Sequence, residues 1–497
     1  MNPINSKKQS AKVIVSEVIM VVAVIITVII LALLVSGYWL NSDFKVERNG
    51  MLQISSLPTG ANVEIDGESS SWLERTNSSK ILKSGEHHII LTKDGYDSWA
   101  KTINISEGLL YRLHYPRLFL NNRTASSVLD TTKYSSATIS SAHNSALLMN
   151  DTTKWAYLNL DTDNPEPRTL DVSKLFASIT TDEETGSTHF TGDIIKADWD
   201  VDASHILFSV KNGDSIEWVL LDVNNVDKSV NLTKEFGTSF SRIEILDNNS
   251  NNLLAVRNHN LHKIDIPGRL ISAILVKDIE DFDHFNNEIV FSALKTIDDS
   301  EETDSESSSD VAEPPILEQP SEDDSSLAKQ YVVGLFKLGD AKPRILTDTT
   351  IPAEVTISKF YDSKYITIVE DKHISVHQKD DFDEKVSHYD LTFSPDAAKV
   401  GHDGEFIILN KNYQLATLDM EANLVREWAI EGPYGWLDND MLYTISDGNL
   451  IVYDYDGLNR RVIAEQVSND FPVAIVGDKW LYYFKDGKLM REWLVPR

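Results

Sequence analysis

The sequence predicts an all-β ectodomain carried on one N-terminal transmembrane helix, and three observations predict it. Residues 13–37 form a long apolar run, residues 50–116 alternate apolar with polar positions between turn residues, and short apolar triplets recur through residues 117–497. The expected order is a short cytoplasmic tail at 1–12, the helix at 13–37, a juxtamembrane linker at 38–49, a small β module at 50–116 and a β-propeller at 117–497.

The helix comes first in the chain. Val13 to Ser36 is interrupted only by Ser16, Glu17, Thr27 and Ser36 itself, and the run exceeds the ~20 residues that a helix needs to cross a bilayer. Lys7, Lys8 and Lys12 precede it, whereas Lys45 and Arg48 behind it are mixed with Asp43 and Glu47. The positive-inside bias therefore expects a cytoplasmic N-terminus, with Tyr38 and Trp39 at the outer interface. A cleaved signal peptide ending near Val35-Ser36-Gly37 is the alternative; its apolar region ordinarily runs only ~7–15 residues. Either way, everything after Asn41 is expected outside the cytoplasm.

Composition narrows the function classes. With 77 acidic against 46 basic residues and a formal net charge of −31, the chain lacks the basic balance that binding to a phosphate backbone requires, so no nucleic-acid partner is expected. It has no cysteine, which excludes disulfides and thiolate zinc sites and leaves burial to hold the domains together.

In the module at 50–116, Leu52 and Ile54 alternate with polar neighbours, as do Val63 and Ile65, so each strand has one wet and one dry face. Pro58-Thr59-Gly60-Ala61, Asp66-Gly67 and Asp94-Gly95 supply turn residues that tolerate positive φ. The stretch Gly50 to Gly67, together with Gly85-Glu86-His87-His88-Ile89-Ile90-Leu91-Thr92-Lys93-Asp94-Gly95-Tyr96, resembles the PEGA domain. That resemblance implies a small β-sandwich of the kind borne by bacterial and archaeal surface proteins. Thr59 stands where the family usually has Glu, at a solvent-facing turn position.

From Arg117 onward eight apolar triplets mark eight units: Ala146–Leu148, Ile206–Phe208, Leu253–Ala255, Ile289–Phe291, Ile366–Ile368, Phe406–Ile408, Met441–Tyr443 and Trp480–Tyr482. Second strands follow several of them, as at Trp218–Leu221, Leu415–Leu418, Leu450–Tyr453 and Leu489–Trp493. The later spacings approach the ~40 residues of a four-stranded blade, so eight blades are expected, alternatively seven. Ser126–Leu129 is expected to supply the outer strand that the last unit lacks. Trp199-Asp200-Val201-Asp202 and Phe393-Ser394-Pro395-Asp396 resemble the strand-turn signature of TolB-like propellers, with Ala203 and Ala397 in place of its glycine. Residues 298–324 hold 12 acidic residues, three Pro and no Lys or Arg; such a segment is expected to stay disordered, as a hairpin insertion within one blade.

Candidate chemistry is sparse. No nucleophile elbow, zinc-protease helix, phosphate loop or dinucleotide fingerprint occurs, so no catalytic residue, no cofactor and no metal ligand set is assigned. The weak metal candidates are Asp198, Asp200 and Asp202, whose alternation could open a calcium loop; Ala203 and Ser209 occupy the positions where its glycine and closing Glu belong, which favours a structural turn. Asp161, Asp163, Asp454 and Asp456 read as hairpin tips. His87 and His88 are strand neighbours and point apart, and His259 and His262 are read as strand residues that also diverge. Trp155, Trp218, Trp436, Trp480 and Trp493 are expected to fill the space between blades rather than stack on sugars.

These readings expect a non-catalytic binding or scaffolding protein of the cell envelope. It is anchored in the cell membrane, and the resemblance implies peptidoglycan, another surface polymer or envelope proteins as partners. The alternative is a propeller enzyme acting on envelope carbohydrate or peptide, which requires two or three converging carboxyl groups with perturbed pKa.

Overall fold

The computed structural model describes residues 18–32, 38–40, 46–69, 75–246, 249–295, 330–401, 404–469 and 471–495. The chain divides into two compact units, Met1–Thr124 with Glu492–Arg497, and Ala125–Arg491. Residues 117–124, grouped with the propeller in the sequence reading, fall in the first unit.

In the first unit residues 18–32 are helical, and their side chains are exposed throughout. Among the described residues no helix is long and apolar enough to cross a membrane. The transmembrane helix expected at 13–37 is therefore not shown by the fold, and its residues 13–17 and 33–37 lie outside the described residues. After the helix, Tyr38–Leu40 and Val46–Arg48 pair as an antiparallel ribbon that sets Tyr38 opposite Arg48.

The module itself is two sheets. One orders Ser78–Leu82, Gly50–Ile54 and Leu110–Leu113; the other orders Glu68–Ser69, Asn62–Ile65, Gly85–Thr92 and Trp99–Ile105. Gly50–Ile54 alternates buried and exposed residue by residue, the period-two pattern of a strand covered on one side. Leu52, Ile54, Val63, Ile89, Leu91, Trp99, Ile103, Ile105 and Leu113 form the buried interior. Asp66 at φ 54° and Gly67 at φ 82° make the tight turn that the sequence marked.

Among the described residues of the second unit are eight four-stranded sheets. Numbered in chain order by their first strands, they begin at Ser136–Ile139, Asp193–Trp199, Arg242–Ile245, Ile279–Phe285, Glu354–Phe360, Ala397–Val400, Tyr434–Trp436 and Ala474–Val476. Every one of the eight apolar triplets lies on the second strand of a sheet. These strands are covered on both faces, as the unbroken burial of Ser145–Met149 shows, and strands so placed read as apolar runs rather than alternation.

Neighbouring sheets pack face to face. Trp155 of sheet 1 lies 5.7 Å, centroid to centroid, from Phe208 of sheet 2. Val290 and Val333 of sheet 4 join Val355 and Ile357 of sheet 5 in one buried cluster, and Ile408 and Leu415 of sheet 6 join Leu442 and Ile451 of sheet 7. Val473, leading into sheet 8, donates its N–H to Tyr443 of sheet 7 at 3.2 Å. Tyr482 of sheet 8 donates to the Leu160 carbonyl after sheet 1 at 3.0 Å.

Sheet 8 draws on both ends of the region: Ala125–Asp130 lies beside Lys488–Trp493, followed by Trp480–Lys485 and Ala474–Val476. Thr131 N–H donates to the Gly487 carbonyl at 2.7 Å, and Ser126 Oγ to the Arg491 carbonyl at 3.2 Å. The strands that flank the acidic segment, Glu288–Leu294 and Tyr331–Lys337, are paired antiparallel up to Leu294 opposite Tyr331, so the segment leaves and re-enters at a hairpin tip. Residues 298–324 themselves lie outside the described residues.

Candidate functional site

A set of ionisable side chains that shift one another's titration lies on the first strands of sheets 2 to 5. Strand alternation puts Arg242 and Glu244 on one side of their strand, and Asp281 and Asp283 on one side of the next. Arg242 is the hub. Its Nε donates to Glu244 Oε1 at 2.8 Å, its Nη1 to Asp281 Oδ1 at 2.7 Å and its Nη2 to the Phe282 carbonyl at 2.8 Å. The guanidinium carbon also lies 4.2 Å from the Phe282 ring centroid, within cation–π range. Burial works against the charge, but Glu244 and Asp281 outweigh it and hold the pKa of Arg242 above its ordinary value.

The two aspartates reach across to sheet 5. Asp281 Oδ2 accepts from Val355 N–H and Asp283 Oδ2 from Ile357 N–H, both at 2.8 Å. The first strand of a sheet has one unpaired edge, whose N–H groups demand partners. Residues 355 and 357 are successive donors on that edge, and carboxylates spaced at 281 and 283 match them one for one. The arrangement is an inter-sheet clasp, with Ser292 Oγ adding an acceptor for Ala353 N–H at 3.1 Å.

Crowding these groups shifts their titration. Burial pushes Asp283 up to about 7, opposed by the Ile357 N–H and reinforced by Glu244. Glu354, half-buried at the start of the same edge, is also raised to about 7, by burial and then by Asp281, against the pull of Arg242. Asp198 on sheet 2 is raised chiefly by burial, opposed by Lys196, whose Nζ lies 2.7 Å from Asp198 Oδ2. Chemically, Asp281 and Asp283 act as hydrogen-bond acceptors for backbone, and Glu354 is the group placed to exchange a proton near neutral pH.

The residues marked in the sequence fall elsewhere. Asp200 is buried and accepts from Ser204 N–H at 2.7 Å, His205 N–H at 2.9 Å and Ser204 Oγ at 2.7 Å. Burial opposes its charge, but these hydrogen bonds and His205 Nδ1 at 2.9 Å prevail and lower its pKa. Asp198 turns to Lys196 and Asp202 is exposed; among the described residues no group of three or more acidic or histidine side chains is placed to hold a metal ion. His87 Nδ1 lies 2.7 Å from Asp66 Oδ2, while His88 N–H donates to Asp66 Oδ1 at 2.8 Å. His259 is not a strand residue as expected: with Asn258 at φ 49° and His259 at φ 60°, the pair forms the two-residue turn between Asn252–Arg257 and Asn260–Asp265. The sequence reading overlooked Arg242, Glu244, Asp281, Asp283 and Glu354. Their signal was charge at every second position, Arg-Ile-Glu and Asp-Phe-Asp, ahead of an apolar run.

Comparison with known families singles out the small module. Residues 49–116 match the PEGA domain. No curated protein matches in sequence. Among solved structures, the Dos1 propeller is 11% identical, with a TM-score of 0.40 over 75% of this chain and 95% of that one. Apo AztD from Citrobacter koseri is 10% identical, with a TM-score of 0.38 over 84% and 98%. Oligogalacturonate lyase from Vibrio parahaemolyticus is 11% identical, with a TM-score of 0.38 over 65% and 97%. The propeller rests on the eight four-stranded sheets in order along the chain.

Proposed function

We propose that this is a non-catalytic binding or scaffolding protein of the cell envelope, anchored in the membrane by its N-terminal apolar segment with the N-terminus cytoplasmic. The observation that carries the proposal is the PEGA match at 49–116, preceded at 18–32 by an apolar helix whose side chains are exposed throughout. A helix apolar all round is at home only in a protein core or in lipid. The eight sheets are taken as the eight blades of one closed propeller, supported by the packing of each sheet on the next and by the use of both ends in sheet 8. The clasp of Arg242, Asp281 and Asp283 stiffens this ring, and the loops at its two mouths present the recognition surface. Peptidoglycan, another surface polymer or envelope proteins are the partner classes.

The test is retention. Full-length protein in mild detergent, with and without residues 298–324, is challenged with isolated cell-wall material and solubilised envelope proteins. Recovery of a specific component supports the reading, and recovery of nothing from either pool overturns it.

One observation favours a propeller enzyme acting on envelope carbohydrate or peptide: Glu354 and Asp283 both titrate near 7, in the range suited to acid–base work. Asp283 spends its oxygens on the Ile357 and His284 N–H groups, which leaves Glu354 as the proton-transfer candidate. Release of soluble fragments from wall material, lost in Glu354→Gln with folding intact, is the outcome that selects this reading.

A further inference from the structure

The outer face of the PEGA sheet carries an uncovered apolar row. Met51 sits opposite Ile81 on one side and Leu110 on the other, across three adjacent strands. All three project away from the core, with the residues 42%, 58% and 37% exposed, and Leu109 beside them is 63% exposed. Met51 N–H donates to the Leu109 carbonyl at 2.9 Å, which ties the fourth aliphatic to the same corner. The next row along the face, Ser79, Gln53 and Arg112, is polar, so the apolar patch occupies one end of the sheet only.

That end is the one the chain enters from the apolar helix. Residue 32 closes the described helix, and six residues later Tyr38 pairs with Arg48, three positions before Met51. Six residues span at most about 20 Å. The pairing of Tyr38 with Arg48 removes the intervening residues from the tether, so the row is held near the helix end. Cations lie at its border: the Arg48 side chain packs on Gly108, where an added Cβ would stand 2.4 Å from Nε, and exposed Lys83 follows Ile81 and Leu82. Glu107 is the acidic residue of the adjoining turn. Aliphatics at a sheet corner with cations at their edge match the layering of a bilayer interface, where acyl chains lie beneath phosphates.

We propose that Met51, Ile81, Leu109 and Leu110 form a lipid-contact patch that seats this end of the PEGA domain in the headgroup layer. The inference rests on the membrane-anchored reading above. It makes the module a foot standing on the bilayer rather than a free spacer.

The absence of cysteine makes the test direct. Full-length protein carrying one cysteine at Ile81→Cys, Leu110→Cys, Val24→Cys or Asp94→Cys is labelled with an environment-sensitive dye and reconstituted into phosphatidylcholine–phosphatidylglycerol vesicles containing a lipid-borne quencher. Asp94 lies in the turn before Trp99–Ile105, at the strand end opposite the Ser106–Leu109 turn. The dye at 24, 81 and 110 is expected to lose about half its emission or more, and the dye at 94 to keep it, as for side chains at the acyl boundary. Quenching at 24 with 81 and 110 behaving like 94 overturns the patch and leaves the anchor standing. No quenching at 24 overturns the anchor, and the patch falls with it unless 81 and 110 are quenched alone. Labels at 81 and 110 that resist both the lipid quencher and aqueous iodide are covered by protein, a second copy or a partner, which also overturns the proposal.

Discussion

The two units solve the problem of covering a β-sheet in different ways. In the PEGA domain each sheet hides one face, so Gly50–Ile54 alternates buried and exposed and its outer side is left to meet something else. In the propeller each sheet packs against the next, and the second strand Ser145–Met149 is buried at every position. Where the first strand of sheet 5 leaves an edge open, Asp281 and Asp283 close it by accepting from Val355 and Ile357 N–H. The comparison teaches that the same secondary structure writes two sequence signatures, set by how many faces are covered.

Core truncation breaks the comparison most forcefully. Trp155 is fully buried among Phe176, Phe190 and Phe208, and Trp155→Ala is expected to cost about 3–5 kcal/mol. In denaturant melts followed by hydrogen exchange, protection should fall across the propeller while the PEGA strands keep theirs. A parallel loss in both units would mean that they unfold as one.

Removing an edge acceptor ranks next. Asp281→Ala deprives Val355 of its acceptor and Arg242 of a counter-charge; with Arg242 partly solvated, a cost of about 1–3 kcal/mol is expected. Exchange of the Val355 amide should accelerate more than that of Ile357, which keeps Asp283. Equal acceleration would show that the clasp is not built pair by pair.

Asp283 and Glu354 in the propeller should also differ from Asp66 in the PEGA domain in the sign of their pH response. Asp283 and Glu354 are raised to about 7, so between their unfolded values near 4 and about 7 the folded state holds protons that the unfolded chain has released. Their contribution to stability therefore falls as pH rises through that window and is level above it. Asp66 in the PEGA domain is lowered, first by the His88 N–H and then by His87, so its contribution is present above pH 4 and lost on acidification. Comparing wild type with Asp283→Asn in the propeller, and with Asp66→Asn in the PEGA domain, from pH 3 to 8 isolates these slopes; identical slopes in mutant and parent would refute the assignment.

The smallest effect is expected at Asp202→Ala, within about 0.5 kcal/mol for an exposed side chain. Asp200→Ala, which strips the acceptor of the same turn, should cost about 1–2 kcal/mol. Equal melting temperatures for the two variants would remove the distinction between them.

Legibility followed these same covering rules. The apolar triplets were visible because strands buried on both faces must be apolar throughout, and all eight fell on second strands. Ser126–Leu129 was found from the need to complete the last sheet. The first strands were hard to see: Arg242–Ile245 and Ile279–Phe285 mix charge with apolar residues, because their charged members satisfy a neighbour's backbone rather than solvent. Nothing in one strand's sequence states which other strand it will serve. His259 was misread because a turn with positive φ ordinarily advertises itself with Gly, whereas here Asn258-His259 adopts it.

Sheet 8 carries a consequence for how the molecule is made. Ala125–Asp130 leaves the ribosome early but lies beside Lys488–Trp493, a strand that follows on the order of tens of seconds later at ordinary elongation rates. Until then the first strand waits without its neighbour, with its hydrogen-bonding groups exposed to chance pairing. Sheet 8 can therefore be closed only once Lys488–Trp493 has been made, and any pairing of Ala125–Asp130 before then is with a strand other than its final neighbour.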